Sequence, residues 1–448
     1  MSEEGVIEPE SFEEKVVWYS ITYTWVFYLL GALYVLAPAI GWVLVVWIGW
    51  KAYTRTPETL PRDRIRIPFG VWVWTVAMLV MLLALIVGHI GYSLGAAQTL
   101  KSTMGWVKGW ALMAVFVAIG GCLDIRPQVL YRAANRLALQ TVILVPLFLV
   151  SPIAHLPGHL YVSPLQALGG PGPDFFEVQL WGREPDGGAR WRFWAPWAPA
   201  AGFVANVNMI LGMQDRSRGW RTCGVLSAVS ICLMSASRLA LINILVTPAI
   251  TFALARLSRP ATFLFAATLT AIGGLTAQQI LDLIGVMKQR FDGARAASSR
   301  VRATLGRIAF QRWKDEAPVF GHGIVERGPH LVEYMPIGSH HTWYGLLYVK
   351  GMVGFGALGA AMVCSSVELV AKAQGSRTAR AALSILITLW MYTFGENLEI
   401  LVYLFWPGLI LMGFAFRQPL KAVSRADAPA ARLAAMRPLM EVPAAPAS

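Results

Sequence analysis

The chain has 448 residues, a net charge of +13, a hydrophobic share of 56%, a mean hydropathy of +0.54 and only 14% charged side chains. A water-soluble domain carries about 25% charged residues, so this balance excludes one and points to a polytopic membrane protein. Lipids are the expected surroundings, and no nucleic-acid partner is expected.

Residues 1–15, "MSEEGVIEPESFEEK", are acidic, with no basic n-region and no small-residue cleavage site, so no removable signal peptide is expected. The uncharged run from Val16 to Trp50 is short for two spans of ~20 residues and too long for one, and an N-terminus kept in the cytoplasm needs two. Further on, runs such as Pro68 to Leu94 and Leu239 to Ala255 supply the ~20 apolar residues that a ~30 Å hydrocarbon core demands. In lipid such runs must be helices, because unpaired backbone groups are costly there. The four cysteines fall in or beside apolar segments, which suits small core residues rather than a disulfide framework or a zinc cluster.

Basic loops orient the chain, since short loops rich in Lys and Arg stay in the cytoplasm. Lys51 to Arg66, Arg126 to Arg136, Arg216 to Arg221, Arg256 to Arg259, Lys372 to Arg380 and the tail from Arg417 hold more than half of the 38 basic residues and are placed inside. The connections between them are then outside: "GYSLGAAQTLKSTMGW", Ser151 to Arg192, the turn at Arg238, Gln278 to His341, and "FGENLE". The expected fold is all-α, a polytopic transmembrane bundle of about twelve helices over residues 16–416 with both ends inside. The alanine- and proline-rich residues 417–448 read as a disordered cytoplasmic tail.

Two outside loops, 151–192 and 278–341, are too long to be mere connectors, and loops of that size usually carry function. The second holds nine Lys and Arg against six Asp and Glu. Within it "RVRATLGRIAFQRWKDE" is amphipathic: Arg300, Arg307 and Lys314 share one face, while Leu305, Ile308, Ala309 and Trp313 share another. Such a helix either lies on anionic headgroups or aims its arginines at a phosphorylated ligand, whose oxygens the guanidinium fork matches. Arg238, between two apolar segments, is either a snorkelling interface residue or a functional charge. His340 and His341 stand on the same outer side at the start of a returning apolar run; a histidine there can be a helix cap or an acid-base group.

The spacing from His340 through ten residues to Gly351, with Gly354 three further on, resembles the His-Asn-x9-Gly-x-x-Gly signature of the bacterial O-antigen ligase and O-antigen or exopolysaccharide polymerase superfamily. "SASR" at Ser235 to Arg238 resembles that family's Ser-Arg motif, and "APVFGHGI" at Ala317 to Ile324 its Pro-x-x-Gly-x-Gly segment. His341 stands where the family usually has Asn, Ser or Gln, and "FG" at Phe355 and Gly356 replaces a Thr-Thr frequent in ligases.

The resemblance implies a membrane glycosyltransferase of GT-C-like type in the bacterial inner membrane. Such an enzyme passes a glycan, with inversion, from undecaprenyl pyrophosphate to a hydroxyl on a glycan or lipid A core, at the periplasmic face, without cofactor or metal. By the resemblance His340 is the catalytic imidazole, as base or acceptor-orienting group, and Arg238 clamps the pyrophosphate. Arg192, Arg300, Arg302 and Arg307 are further pyrophosphate candidates, because arginines can neutralise developing diphosphate charge. His341, Arg190 and Glu396 are candidate supports; Glu396 and its neighbour Asn397 either bind sugar hydroxyls or simply end two helices. The competing reading from another class is a transporter or flippase for a lipid-linked or anionic solute, which would place charges near the bilayer midplane beside broken helices.

Overall fold

In a computed structural model the chain is described over residues 7–56, 65–183, 188–259, 296–338 and 340–420, with scattered positions between 260 and 295. The first two helices, α1 (Phe12–Thr22) and α2 (Thr24–Leu29), are separated at Tyr23 and together run antiparallel to α3 (Leu33–Tyr53) through a turn at Leu30 to Ala32. Next come α4 (Phe69–Gly91), α5 (Ala96–Lys108), α6 (Trp110–Cys122) and α7 (Pro127–Ile153). The last of these starts on Pro127 in its first turn, where a missing amide proton costs nothing. After the connection that follows α7 the bundle continues with α8 (Ala198–Gly212), α9 (Arg218–Met234) and α10 (Arg238–Leu254). It closes with α11 (Ala296–Glu316), α12 (Thr342–Ala373), α13 (Arg377–Tyr392) and α14 (Leu398–Arg417).

The chain is thus mostly helical, as its apolar runs demand. Among the described residues six stretches have the length and apolarity to cross a membrane: α3, α4, α5 with α6, α7, α12 and α14; α8 and α10 are apolar but shorter. By length and composition these helices suit a membrane-embedded bundle. The expectation of purely helical structure needs one addition. In the loop between α7 and α8, β1 (His159–Val162) pairs antiparallel with β2 (Glu177–Gln179), and β3 (Gly182–Arg183) with β4 (Ala189–Arg190). These strands are only two to four residues long and lie in a loop broken by several prolines and glycines, so hairpin pairing satisfies their amides where a continuous helix cannot form.

At the centre lies α14, almost wholly buried, with α6 beside it. A Cβ on Gly120 would come within 2.1 Å of the Ile410 carbonyl oxygen, so the bare glycine lets the two backbones meet. Trp406 stacks on Phe116 at 5.0 Å and Tyr392 on Phe203 at 4.3 Å in the same core.

Polar contacts divide the bundle into two ends. At one end lie the described parts of the basic loops. Lys51 meets Glu13 at 2.6 Å, Arg126 meets Glu14 at 2.7 Å, and Arg132 meets Asp215 at 2.7 Å. Arg377 reaches Gln214, and Arg417 donates to the Leu123 carbonyl at 2.9 Å. At the opposite end lie the described parts of the loop of 154–197, the turns at 235–238 and 393–397, α11 and the start of α12. The tail from 421 lies outside the described residues.

Candidate functional site

His341 is the N-cap of α12. Its Nδ1 accepts from the Tyr344 amide at 3.4 Å, and its ring packs on Tyr344 at 4.3 Å. Thr342 then ties this helix start to the turn before α14. Its amide donates to the carbonyls of Thr393 at 3.0 Å and Glu396 at 3.1 Å, its hydroxyl donates to the Glu396 carbonyl at 2.7 Å, and it accepts from the Leu398 amide at 3.1 Å. Four bonds from one threonine fix where His340 stands. Burial, with the Arg302 charge as the second cause, lowers the His340 pKa to about 4, so the imidazole is neutral at pH 7. Burial does the same to His341.

Glu396 occupies the middle of this arrangement. It is 2% exposed, and Trp197 Nε1 donates to its Oε2 at 2.9 Å. Burial pushes its pKa up to about 7, against the opposing pull of Arg302, the Trp197 hydrogen bond and Arg190. Among the described residues Glu396 makes no direct ion-pair contact; its cations act across a gap.

Trp197 belongs to the same loop as Arg190 and Arg192, and that loop is latched to the Ser-Ala-Ser-Arg turn. Arg190 Nε donates to the Ser235 carbonyl at 2.8 Å, and the Trp191 amide to that of Met234 at 3.4 Å. Within the turn Ser237 caps α10 by accepting from the Ala240 amide at 3.4 Å, and Ala236 takes a left-handed φ of 47°. Arg238 is therefore the first residue of α10. The next residue, Leu239, packs against Gly395, one position before Glu396; a Cβ on that glycine would lie 3.1 Å from Leu239. Segments from four separate parts of the sequence so converge: 190–197, 235–239, 340–342 and 393–397.

The other candidates are distributed less uniformly. Arg192 is engaged within its own loop, paired with Glu177, 3.7 Å from Asp174 and donating to the Pro196 carbonyl at 2.8 Å. These contacts close the loop on itself. On α11 Arg300, Arg302 and Arg307 are exposed, and Leu305 and Ala309 are buried, which is the amphipathic division. Arg307 donates to Thr304 at 3.1 Å. Arg302 is the α11 arginine whose charge is felt at both His340 and Glu396.

The two glycine motifs pack on each other. At Gly351 the backbone leaves helical geometry (φ 61°, ψ −162°), splitting α12 into a short outer piece and a longer one. A Cβ there would be 2.3 Å from the Val319 carbonyl oxygen, so both the conformation and the space require glycine. The amides of His322 and Gly323 bond the Tyr348 and Val349 carbonyls at 2.8 and 2.9 Å, replacing the bonds that the break forfeits. Gly354 gives room for the stem of Lys350, which is 2% exposed.

A polar network beside the break escaped the sequence reading. Arg312 binds Glu316 at 2.8 Å, Glu326 at 2.7 Å and the Tyr348 hydroxyl at 2.7 Å, while His322 Nε2 meets Glu316 at 2.7 Å and its ring stacks on Tyr348 at 4.3 Å. The Arg312 and His322 hydrogen bonds hold Glu316 down to about 2. This network pins α11 to α12. Only the i, i+4 spacing of Arg312 and Glu316 was visible locally; the partners come from elsewhere.

Chemically, this end of the bundle offers a neutral imidazole, a buried carboxyl poised near neutrality and guanidinium groups around them. That set can orient a hydroxyl, hold its proton and favour an anion. No family model matches the chain, and no curated protein matches it.

Proposed function

We propose that the chain is a metal-independent, inverting glycosyltransferase of GT-C-like type, of the O-antigen ligase or polymerase kind. It acts at the periplasmic face of a bacterial inner membrane. The observation that carries this reading is the convergence of His340, Glu396, Arg190, Arg302 and the Arg238 turn at the end of the bundle opposite the basic loops. The fold is read as about twelve passes, with α1 and α2 as one broken pass, and the positive-inside bias puts the basic end in the cytoplasm.

A lipid diphosphate donor brings its own leaving group, so the protein has two tasks. Arg238, Arg302 and Arg190 neutralise the charge that develops on the departing diphosphate, and fixed guanidinium groups do this best in a site that excludes water. His340, neutral and held by the Thr342 contacts, accepts a hydrogen bond from the acceptor hydroxyl and aims it at the anomeric carbon. Arg300 and Arg307 lie on the exposed face of α11, where they draw anionic lipid or donor toward the site.

The test is to incubate purified enzyme with undecaprenyl-pyrophosphate-linked repeat units, first alone and then with lipid A core. Chain growth in the first arm identifies a polymerase, and transfer that waits for lipid A core identifies a ligase. Inertness in both overturns the reading. One observation favours a transporter or flippase instead: the break of α12 at Gly351 beside buried Lys350 is the kind of discontinuity that solute sites use. Movement of intact lipid-linked glycan across proteoliposomes, with no bond cleaved, would establish that alternative.

A further inference from the structure

We propose that Glu396, rather than His340, takes the proton from the acceptor hydroxyl, because it is a buried carboxylate held at the meeting point of the four converging segments; this rests on the transferase reading. Its position is over-determined. The Glu396 carbonyl accepts two of the four Thr342 hydrogen bonds, and Trp197 pins Oε2 at 2.9 Å, so Oε1 is the oxygen left to meet a substrate. The carboxylates at the basic end are built otherwise: Glu14 and Asp215 are each gripped directly by an arginine at 2.7 Å. A carboxylate gripped by arginine is a poor base, and among the described residues no cation is in ion-pair contact with Glu396.

The charged and titratable groups whose influence reaches Glu396 are Arg302 from α11, Arg190 from the loop before α8 and Tyr392 from the end of α13; His340 and His341 directly precede Thr342, whose amide bonds the Glu396 carbonyl. The arginines hold His340 and Glu396 in opposite roles. Cationic surroundings oppose an imidazolium beside Arg302 but tolerate a carboxylate, so a proton leaving the acceptor finds its stable place on Glu396. The titration of Glu396 near neutrality agrees, since a general base works best with a pKa near the working pH. In the step, the acceptor oxygen bonds to the anomeric carbon as the bond from that carbon to the diphosphate oxygen breaks. The electron pair of that bond leaves on the diphosphate, and the acceptor proton passes to Glu396 Oε1 and then to water. His340 orients the hydroxyl.

The experiment uses the full chain in nanodiscs with undecaprenyl-pyrophosphate-linked glycan as the probe, following release of undecaprenyl pyrophosphate and, separately, probe binding. Glu396→Gln keeps the size, the carbonyl contacts and the Trp197 partner. Its turnover is expected to fall ~10² to 10⁴-fold, with probe Kd unchanged within about threefold. Wild-type turnover should decline as pH falls through about 7, and the residual activity of Glu396→Gln should lack that limb. Trp197→Phe removes a donor to the carboxylate, so its limb should move to higher pH. Wild-type turnover and the same limb in Glu396→Gln would overturn the proposal, as would a loss confined to probe binding. If wild-type protein releases no undecaprenyl pyrophosphate with any acceptor, the transferase reading itself fails, and this assignment with it.

Discussion

The two ends of the bundle use the same residue types for different purposes. At the basic end arginine and carboxylate are in contact: Arg126 takes Glu14 with Nε and Nη2, and Arg132 takes Asp215 with two nitrogens while Asn135 adds a third bond. For both acids burial disfavours ionisation, but the arginine and amide hydrogen bonds outweigh it and hold the carboxyl below its ordinary value. At the opposite end the arginines stand off from Glu396, and burial prevails. Contact makes a clasp that stays ionised; separation leaves a group that can exchange a proton near neutral pH.

If that contrast is right, stability and turnover separate between the ends. His340→Ala should lower transfer ~10² to 10⁴-fold, the usual range for losing an acid-base or orienting imidazole, with the protein still inserted and folded. His341→Asn, altering only a cap, should be far milder. Asp215→Ala should do the converse: it strands the partly buried Arg132, a loss of about 3 kcal/mol in unfolding free energy, with turnover of the surviving folded protein near normal. Equal effects of His340→Ala and Asp215→Ala on both measurements would erase the distinction.

Next in size is Arg238. Lysine keeps the charge but loses two parallel donors, so Arg238→Lys should approach the loss in Arg238→Ala if the residue clamps a diphosphate. A residue that merely snorkels to the interface would tolerate lysine with full activity and unchanged donor affinity.

Smallest is a pH effect that also divides the ends. His340 and His341 titrate at about 4 in the folded protein against about 6.5 unfolded, so between those values the unfolded chain binds more protons. Stability therefore falls as pH is lowered through that window, and His341→Asn should flatten the slope in thermal unfolding. Glu14 and Asp215, whose folded pKa values are depressed, give up their contribution only in more acidic solution. A slope unchanged in His341→Asn would show that the imidazoles are solvated.

Much of this architecture is local in origin and so was legible. Runs of apolar residues must become helices in lipid, and their length alone decides it. The basic clusters collect at one end because each belongs to a short connection between such helices. The amphipathic face of α11 follows from its period, and the cap at His341 from its place before an apolar run. Gly351 also announced itself, although its reason, a left-handed kink against the Val319 carbonyl, is a tertiary contact.

What only the tertiary structure decided concerns charge. Nothing within "FGENLE" distinguishes Glu396, which is buried under Trp197 and faces Arg190 and Arg302, from Glu399 three residues on. Nor does the sequence tell Arg192, closed onto Glu177, from Arg190, bonded to Ser235. Burial and Coulomb forces depend on every neighbour within several ångströms, and those neighbours come from segments up to two hundred residues apart. Helices were therefore determined by the sequence alone, and the protonation states of the groups between them by the way the helices pack.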